Sequence, residues 1–142
     1  MSPRHFSLLG RASLRTAREF AAAAAQVLRY WRLPEARVLM LELAVAEMGS
    51  NVVRHGYGGA EGGPMALELD WDGRGLRIAL RDEGAPFDPD AVPAAVEPDP
   101  SAPATWPEGG MGLSLIRAAG RLSYRTGADG NEQSLQVEEP LA

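Results

Sequence analysis

Residues 65–82 read MALELDWDGRGLRIALRD, two alternating runs around a short glycine-marked break. In a strand, successive side chains point to opposite faces. Met65, Leu67, Leu69 and Trp71 therefore share one face of a first strand, and Leu76, Ile78 and Leu80 share one face of a second. The intervening DGRG is a hairpin signal. Clean alternation implies a sheet with one face buried and the other in a different environment. The pattern returns near the end of the chain, where LSYRT (122–126) and SLQVE (134–138) flank the turn-rich GADGN. At the front, Arg4 to Leu9 fits a short first strand.

Between these strands the period changes to that of helices. Ser13 to Trp31 is rich in alanine, the best helix former. Ser13 or Thr16 is suited to cap it, and Thr16 with Glu19 has the spacing of a capping box. Pro34 is suited to the start of a second helix, with Glu35 in its first turn. That helix is expected to run to about Arg54, where Gly56 can stop it. Val38, Leu41, Val45, Met48 and Val52 form its core stripe, and Leu39, Leu43 and Ala44 widen the apolar surface. A last helical segment runs from Leu113 to Ala119. Together the elements predict an α/β two-layer sandwich: a mixed or antiparallel sheet with helices on one face. Pro89 to Pro107 interrupts the pattern with six prolines and no hydrophobic period, so it cannot be a regular element. A segment this long in a compact domain is a functional lid or a disordered stretch.

The 142 residues suit one domain spanning 1–142, and 45% apolar composition is enough for a core. A formal charge of −5 argues against nucleic acid as a partner. The absence of cysteine excludes disulfide scaffolds, zinc ribbons and thiol catalysis, and fits a reducing compartment. MSPRHFSLLGR is too short and polar for a signal peptide, and FAAAAAQVLRYW is far short of a membrane span. A cytoplasmic protein without membrane or nucleic-acid partner is therefore expected.

Three glycine-marked places carry polar residues that the core does not require. In LELAVAEMGSNVVRHGYGG (41–59), Glu47 and Asn51 lie four apart and share one helix face. The pair is either a solvated edge or a carboxylate base beside a metal-ligating amide. In RDEGAPFDP (81–89), Asp82 ends a strand and Gly84 follows. That is either a plain turn or an acceptor for an exocyclic amine, with a glycine that lets a flat base approach. In EGGMGLSLIRAAG (108–120), Gly109, Gly110 and Gly112 lead into a helix. Such backbone can hinge a linker or cradle phosphate, though no Lys-Ser/Thr pair follows as in a Walker A loop.

In this order, the three stretches resemble the GHKL ATPase superfamily of gyrases, heat-shock chaperones, histidine kinases and mismatch-repair ATPases. The likeness is greatest to the small bacterial anti-sigma factor serine kinases of the RsbW and SpoIIAB type. EMGSNVVRHGY looks like their N box, DEGAPFDP like their first glycine box and GGMGLSLI like their second. The resemblance implies a Bergerat-type ATP-binding fold with ATP and Mg²⁺ as cofactors. It implies Glu47 as catalytic base, Asn51 as nucleotide-binding residue and Mg²⁺ ligand, and Asp82 and Gly84 at the adenine. Gly110 and Gly112 would lie at the phosphates, and an ATP lid would span about 88–109. The substrate implied is a STAS-type anti-sigma factor antagonist, with a sigma factor as a second partner and a homodimer as a common relative's state. Two other functions fit the same boxes: a nucleotide-binding switch without phosphoryl transfer, and a kinase that controls a phosphatase or stress complex.

The sequence departs from that pattern in three places. AAGRLSY offers no counterpart to an Asp that many relatives carry after the second glycine-box helix. The lid has no obvious lysine. Gly49 sits inside the N-box helix, where it costs roughly 1 kcal/mol against alanine. Close packing against the nucleotide or the sheet would account for it. His55 belongs to the N-box likeness and is read as a packing or capping residue or as a neighbour of the phosphates.

Overall fold

The computed structural model describes residues 2–60, 62–89 and 112–138. Five strands form one sheet: β1 (Arg4–Arg11), β2 (Pro64–Trp71), β3 (Gly75–Asp82), β4 (Arg121–Gly127) and β5 (Gly130–Glu138). Their order across the sheet is β1-β2-β3-β5-β4, and every neighbouring pair is antiparallel. The alternation in 65–82 is realised as read: Met65, Leu67, Leu69, Trp71, Leu76, Ile78 and Leu80 are all buried. Asp72 closes the first hairpin by accepting the N–H groups of Arg74 and Gly75, both at 2.8 Å. Those two donors favour its charged form and hold its carboxyl below the usual range.

The helices are α1 (Leu14–Tyr30), α2 (Glu35–Asn51) and α3 (Gly112–Ala119). Ser13 caps α1, its Oγ accepting the Thr16 N–H at 2.9 Å. Glu19 takes no part in a capping box; it pairs with Arg15 one turn back on the helix surface. At the other end, Arg32 adopts φ 67°, and the Arg32 and Leu33 N–H groups return to the Arg29 and Leu28 carbonyls. This is a Schellman closure with arginine where glycine is usual. Val38, Leu41, Val45, Met48 and Val52 are buried, as their spacing predicts, whereas Leu39 and Leu43 remain exposed. The α-helical part of α2 ends at Asn51, and Val52–Gly56 continues as a π-helical turn. Such widened turns concentrate at functional sites.

Gly49 has a definite reason for lacking a side chain. A Cβ there would lie 2.6 Å from Ala17 Cβ and 3.1 Å from Ala17 Cα. Its bareness serves the close approach of α1 to α2. The inner sheet face and the helices share a single apolar core that includes Phe20, Leu28, Met48, Ile78 and Leu135. The outer face is ionic. Glu132 receives Arg77, Arg81 and Arg125, Arg81 also reaches Glu68, and His5 pairs with Asp70. Burial works against the charge of Glu132, but the bond from Arg81 and the fields of the three arginines prevail and lower its pKa. Among the described residues, no helix is long and apolar enough to cross a membrane.

Candidate functional site

The polar residues of the inner face gather at one end of the sheet. On β3 the inward sequence is Leu76, Ile78, Leu80, then Asp82; on β5 it is Val137, Leu135, then Gln133 and Asn131, paired in that register. Asp82 is 3% exposed. Its Oδ1 accepts the Gly84 N–H and the Asn131 Nδ2, each at 2.9 Å. Its Oδ2 is buried with no hydrogen-bond partner. A buried acceptor left unpaired costs about 1–3 kcal/mol, which makes this oxygen a candidate contact for a ligand donor.

The α2 terminus is drawn against the same place. The Gly56 carbonyl accepts the Ala85 N–H at 2.6 Å, which joins the end of the π-helical turn to the loop after β3. A Cβ on Gly84 would stand 2.5 Å from the Gly56 oxygen and 2.6 Å from its carbonyl carbon. Gly84 is therefore required by this backbone crossing, whatever space it also leaves a ligand. Asn51 is 4% exposed at the last α-helical position of α2. Glu47, one turn earlier on the same face, is half-buried, and its Oε2 has neither solvent nor a hydrogen-bond partner.

Three further residues organise the site without having stood out in the sequence. Asn131 bridges Asp82 Oδ1 and the Gly84 carbonyl, both at 2.9 Å, and its own Oδ1 accepts Thr126 Oγ1 at 2.6 Å. Tyr57 donates its hydroxyl to the Pro64 carbonyl at 2.7 Å and accepts the Glu83 N–H at 2.9 Å, fixing the residue next to Asp82. Burial raises the Tyr57 pKa, and the neighbouring Asp82 and Glu83 add to the rise against the Glu83 N–H bond. Gly63 leaves room for that tyrosine, since a Cβ there would overlap its ring. Gln133, on β5, is fully buried and donates to the Met48 carbonyl at 3.1 Å. The signal for Asn131 lies in the β3–β5 register, which places it opposite Asp82.

His55 is exposed and packs its ring 5.7 Å from that of Phe87, which lies 5.3 Å from Tyr124. Tyr124 also accepts the Phe87 N–H at 3.0 Å. Gly112 is the first residue of α3, which packs against α2. Gly109 and Gly110, and the lid from residue 90 onward, lie outside the described residues.

Residues 10–137 match the histidine kinase-like ATPase domain family. The chain belongs to that family. Family membership implies a nucleotide site, with ATP as its nucleotide. The chain is also similar to the serine-protein kinase RsbW of Halalkalibacterium halodurans, with 41% identity over 78 residues, 54% of this chain and 47% of the relative. It thus spans about half the length of that curated relative. In fold it resembles the solved RsbU and RsbW domains of a Mycobacterium tuberculosis protein, at a TM-score of 0.60 and 21% identity. That likeness covers 97% of this chain and 32% of the solved one. The expected Bergerat-type two-layer fold is borne out, with the sheet antiparallel throughout.

The family's nucleotide fits the donor set at hand. An exocyclic amine would satisfy Asp82 Oδ2, and Asn51 carries an amide oxygen of the hard type that Mg²⁺ takes. Among the described residues, no three acidic or histidine side chains could hold a metal ion together. Mg²⁺ commonly completes its shell with phosphate oxygens and water beside one or two protein ligands.

Proposed function

We propose that the chain is an ATP-dependent protein serine kinase of a cytoplasmic, bacterial partner-switching system. Its substrate would be a STAS-type anti-sigma factor antagonist, and a sigma factor its second partner, bound by a homodimer. The observation that carries this reading is the Glu47 carboxylate, half-buried with one oxygen unpartnered, one helical turn before Asn51. A nucleotide-binding switch needs Asn51 and Asp82 but has no use for a poised base. The similarity to a serine-protein kinase supports the same choice.

Asp82 Oδ2 accepts the adenine amine, and Asn131 and the Gly84 N–H keep its other oxygen occupied. Asn51 would hold Mg²⁺ through its amide oxygen, and the ion would supply charge screening for the phosphates. Gly110 and Gly112, assigned from the sequence resemblance, would lend backbone N–H groups to the phosphates. Glu47 accepts the proton of the substrate serine as its oxygen bonds to the γ-phosphorus and the bond to ADP breaks. The phosphorylated serine and ADP then leave, and the proton passes from Glu47 to water.

The test is incubation with γ-labelled ATP, Mg²⁺ and the purified antagonist encoded nearest to this gene. Label is expected on a serine of the antagonist. Tight ATP binding without transfer to any candidate antagonist would move the passive switch ahead of the kinase.

A further inference from the structure

We infer that Gln133 is a positioning residue for the phosphate end of the site: its buried amide fixes the turn of α2 that carries Glu47 and Asn51. The inference rests on the nucleotide site proposed above and adds a residue to it. Gln133 is fully buried on the inner face of β5, directly opposite Leu80 on one side and Tyr124 on the other. The next inward residues along the strand are Leu135 and Val137, so a leucine or methionine would suit this position as core. Instead it holds an amide whose Nε2 donates to the Met48 carbonyl and whose Oε1 is buried without a partner.

That arrangement does little for stability. Met48 already accepts the Val52 N–H, so its carbonyl does not depend on Gln133 for satisfaction. The orphaned Oε1 is a cost that an apolar side chain would avoid. What the bond does accomplish is local. Met48 follows Glu47 and precedes Asn51 by three residues, immediately before the helix widens into the π-helical turn. A helix leaving its regular ladder has slack there. Tying this carbonyl to the sheet fixes the height and rotation of the one turn whose side chains face the phosphates. The same strand, two residues away, holds Asp82 through Asn131. β5 thus sets both ends of the site from one rigid element, which is how supporting residues tune a metal or catalytic group they do not touch.

The test compares Gln133→Met, which keeps the volume and loses the amide, with Gln133→Asn, which keeps the amide but cannot reach Met48. ATP affinity is measured by calorimetry with and without Mg²⁺, beside the melting temperature and the amide exchange of residues 49–56 in nucleotide-free protein. In both variants the Mg²⁺-dependent gain in ATP affinity should fall roughly 10-fold. Exchange of 49–56 should accelerate, and metal-free ATP affinity should stay within about twofold. For Gln133→Met the melting temperature should hold or rise, because the orphaned acceptor is gone. If both variants keep the wild-type Mg²⁺ gain while Asn51→Ala loses it, Gln133 does not position the turn, and the site reading stands. If wild-type protein shows no Mg²⁺-dependent gain, the site reading itself fails. A lowered melting temperature in Gln133→Met, with equal losses of metal-free and Mg²⁺-ATP affinity, would make Gln133 a packing residue and overturn the inference.

Discussion

Asp82→Asn should change which nucleotide the protein prefers while leaving the fold in place. Asp82 Oδ1 faces two donors, the Gly84 N–H and Asn131 Nδ2, each 2.9 Å away. An asparagine at 82 can satisfy both only by placing its carbonyl oxygen at the Oδ1 position. Its NH₂ group must then occupy the position of Oδ2, the buried oxygen that has no partner. The acceptor proposed to meet the adenine amine becomes a donor. A hydrogen bond to a charged group contributes about 1.5–3 kcal/mol, so ATP should bind roughly 10- to 150-fold more weakly. ITP, with a carbonyl where adenine has its amine, should lose little or gain. The assay is calorimetry with ATP, ITP and GTP on wild type and variant, beside thermal melting. Wild type should favour ATP over both others, and the variant should narrow or reverse that ratio at nearly unchanged melting temperature. An unchanged ATP-to-ITP ratio in a folded variant would refute the role given to Asp82 Oδ2.

Other perturbations test the fold that holds the site. Gly49→Ala puts a Cβ 2.6 Å from Ala17 Cβ, and overpacking of this kind should cost about 1–3 kcal/mol in chemical denaturation. A smaller residue at 17 has room to offset it, so Ala17→Gly should partly rescue the variant. Arg32→Gly should relieve the left-handed backbone at the end of α1 and add roughly 0.5–1 kcal/mol, a rise of about 3 °C in melting temperature. Glu132→Gln should destabilise by about 1–2 kcal/mol at neutral pH, discounted because its arginine partners are between a third and three-quarters exposed. The Glu132 pKa is lowered in the folded protein, so its stabilisation is present above the ordinary carboxylate value of 4.5 and is lost as pH falls through the lower folded value. Wild type and variant melting temperatures should therefore draw together as pH falls through that lowered value, and a gap that stays unchanged into strong acid would exclude an electrostatic role.

The elements of the fold were largely legible because their periods are unmixed. From Met65 to Leu80 the inner-face positions of both strands are apolar, and the stripe from Val38 to Val52 keeps helical spacing. What local pattern could not carry was which strands adjoin. β5 inserts between β3 and β4, and only that order places Asn131 opposite Asp82, 49 residues earlier in the chain. The same holds for Gln133, whose polar character next to the apolar Leu135 and Val137 was the available signal but names no partner. Gly49 illustrates a different limit. Its cost in a helix is visible in the sequence, yet the reason, contact with Ala17, belongs to the packing of two helices. Gly84 is similar: glycine after Asp82 suggests a turn, while its necessity comes from the crossing of the Gly56 backbone.

The central claim is that this site transfers phosphate and that Glu47 is its base. The most direct measurement is single-turnover transfer from preloaded, γ-labelled Mg²⁺-ATP to the antagonist's serine, in wild type and Glu47→Gln. Glutamine keeps the shape of the side chain and removes the proton acceptor. Transfer should slow by roughly 10²–10⁴-fold while ATP affinity and melting temperature remain those of wild type. Transfer at the wild-type rate by Glu47→Gln would contradict the claim.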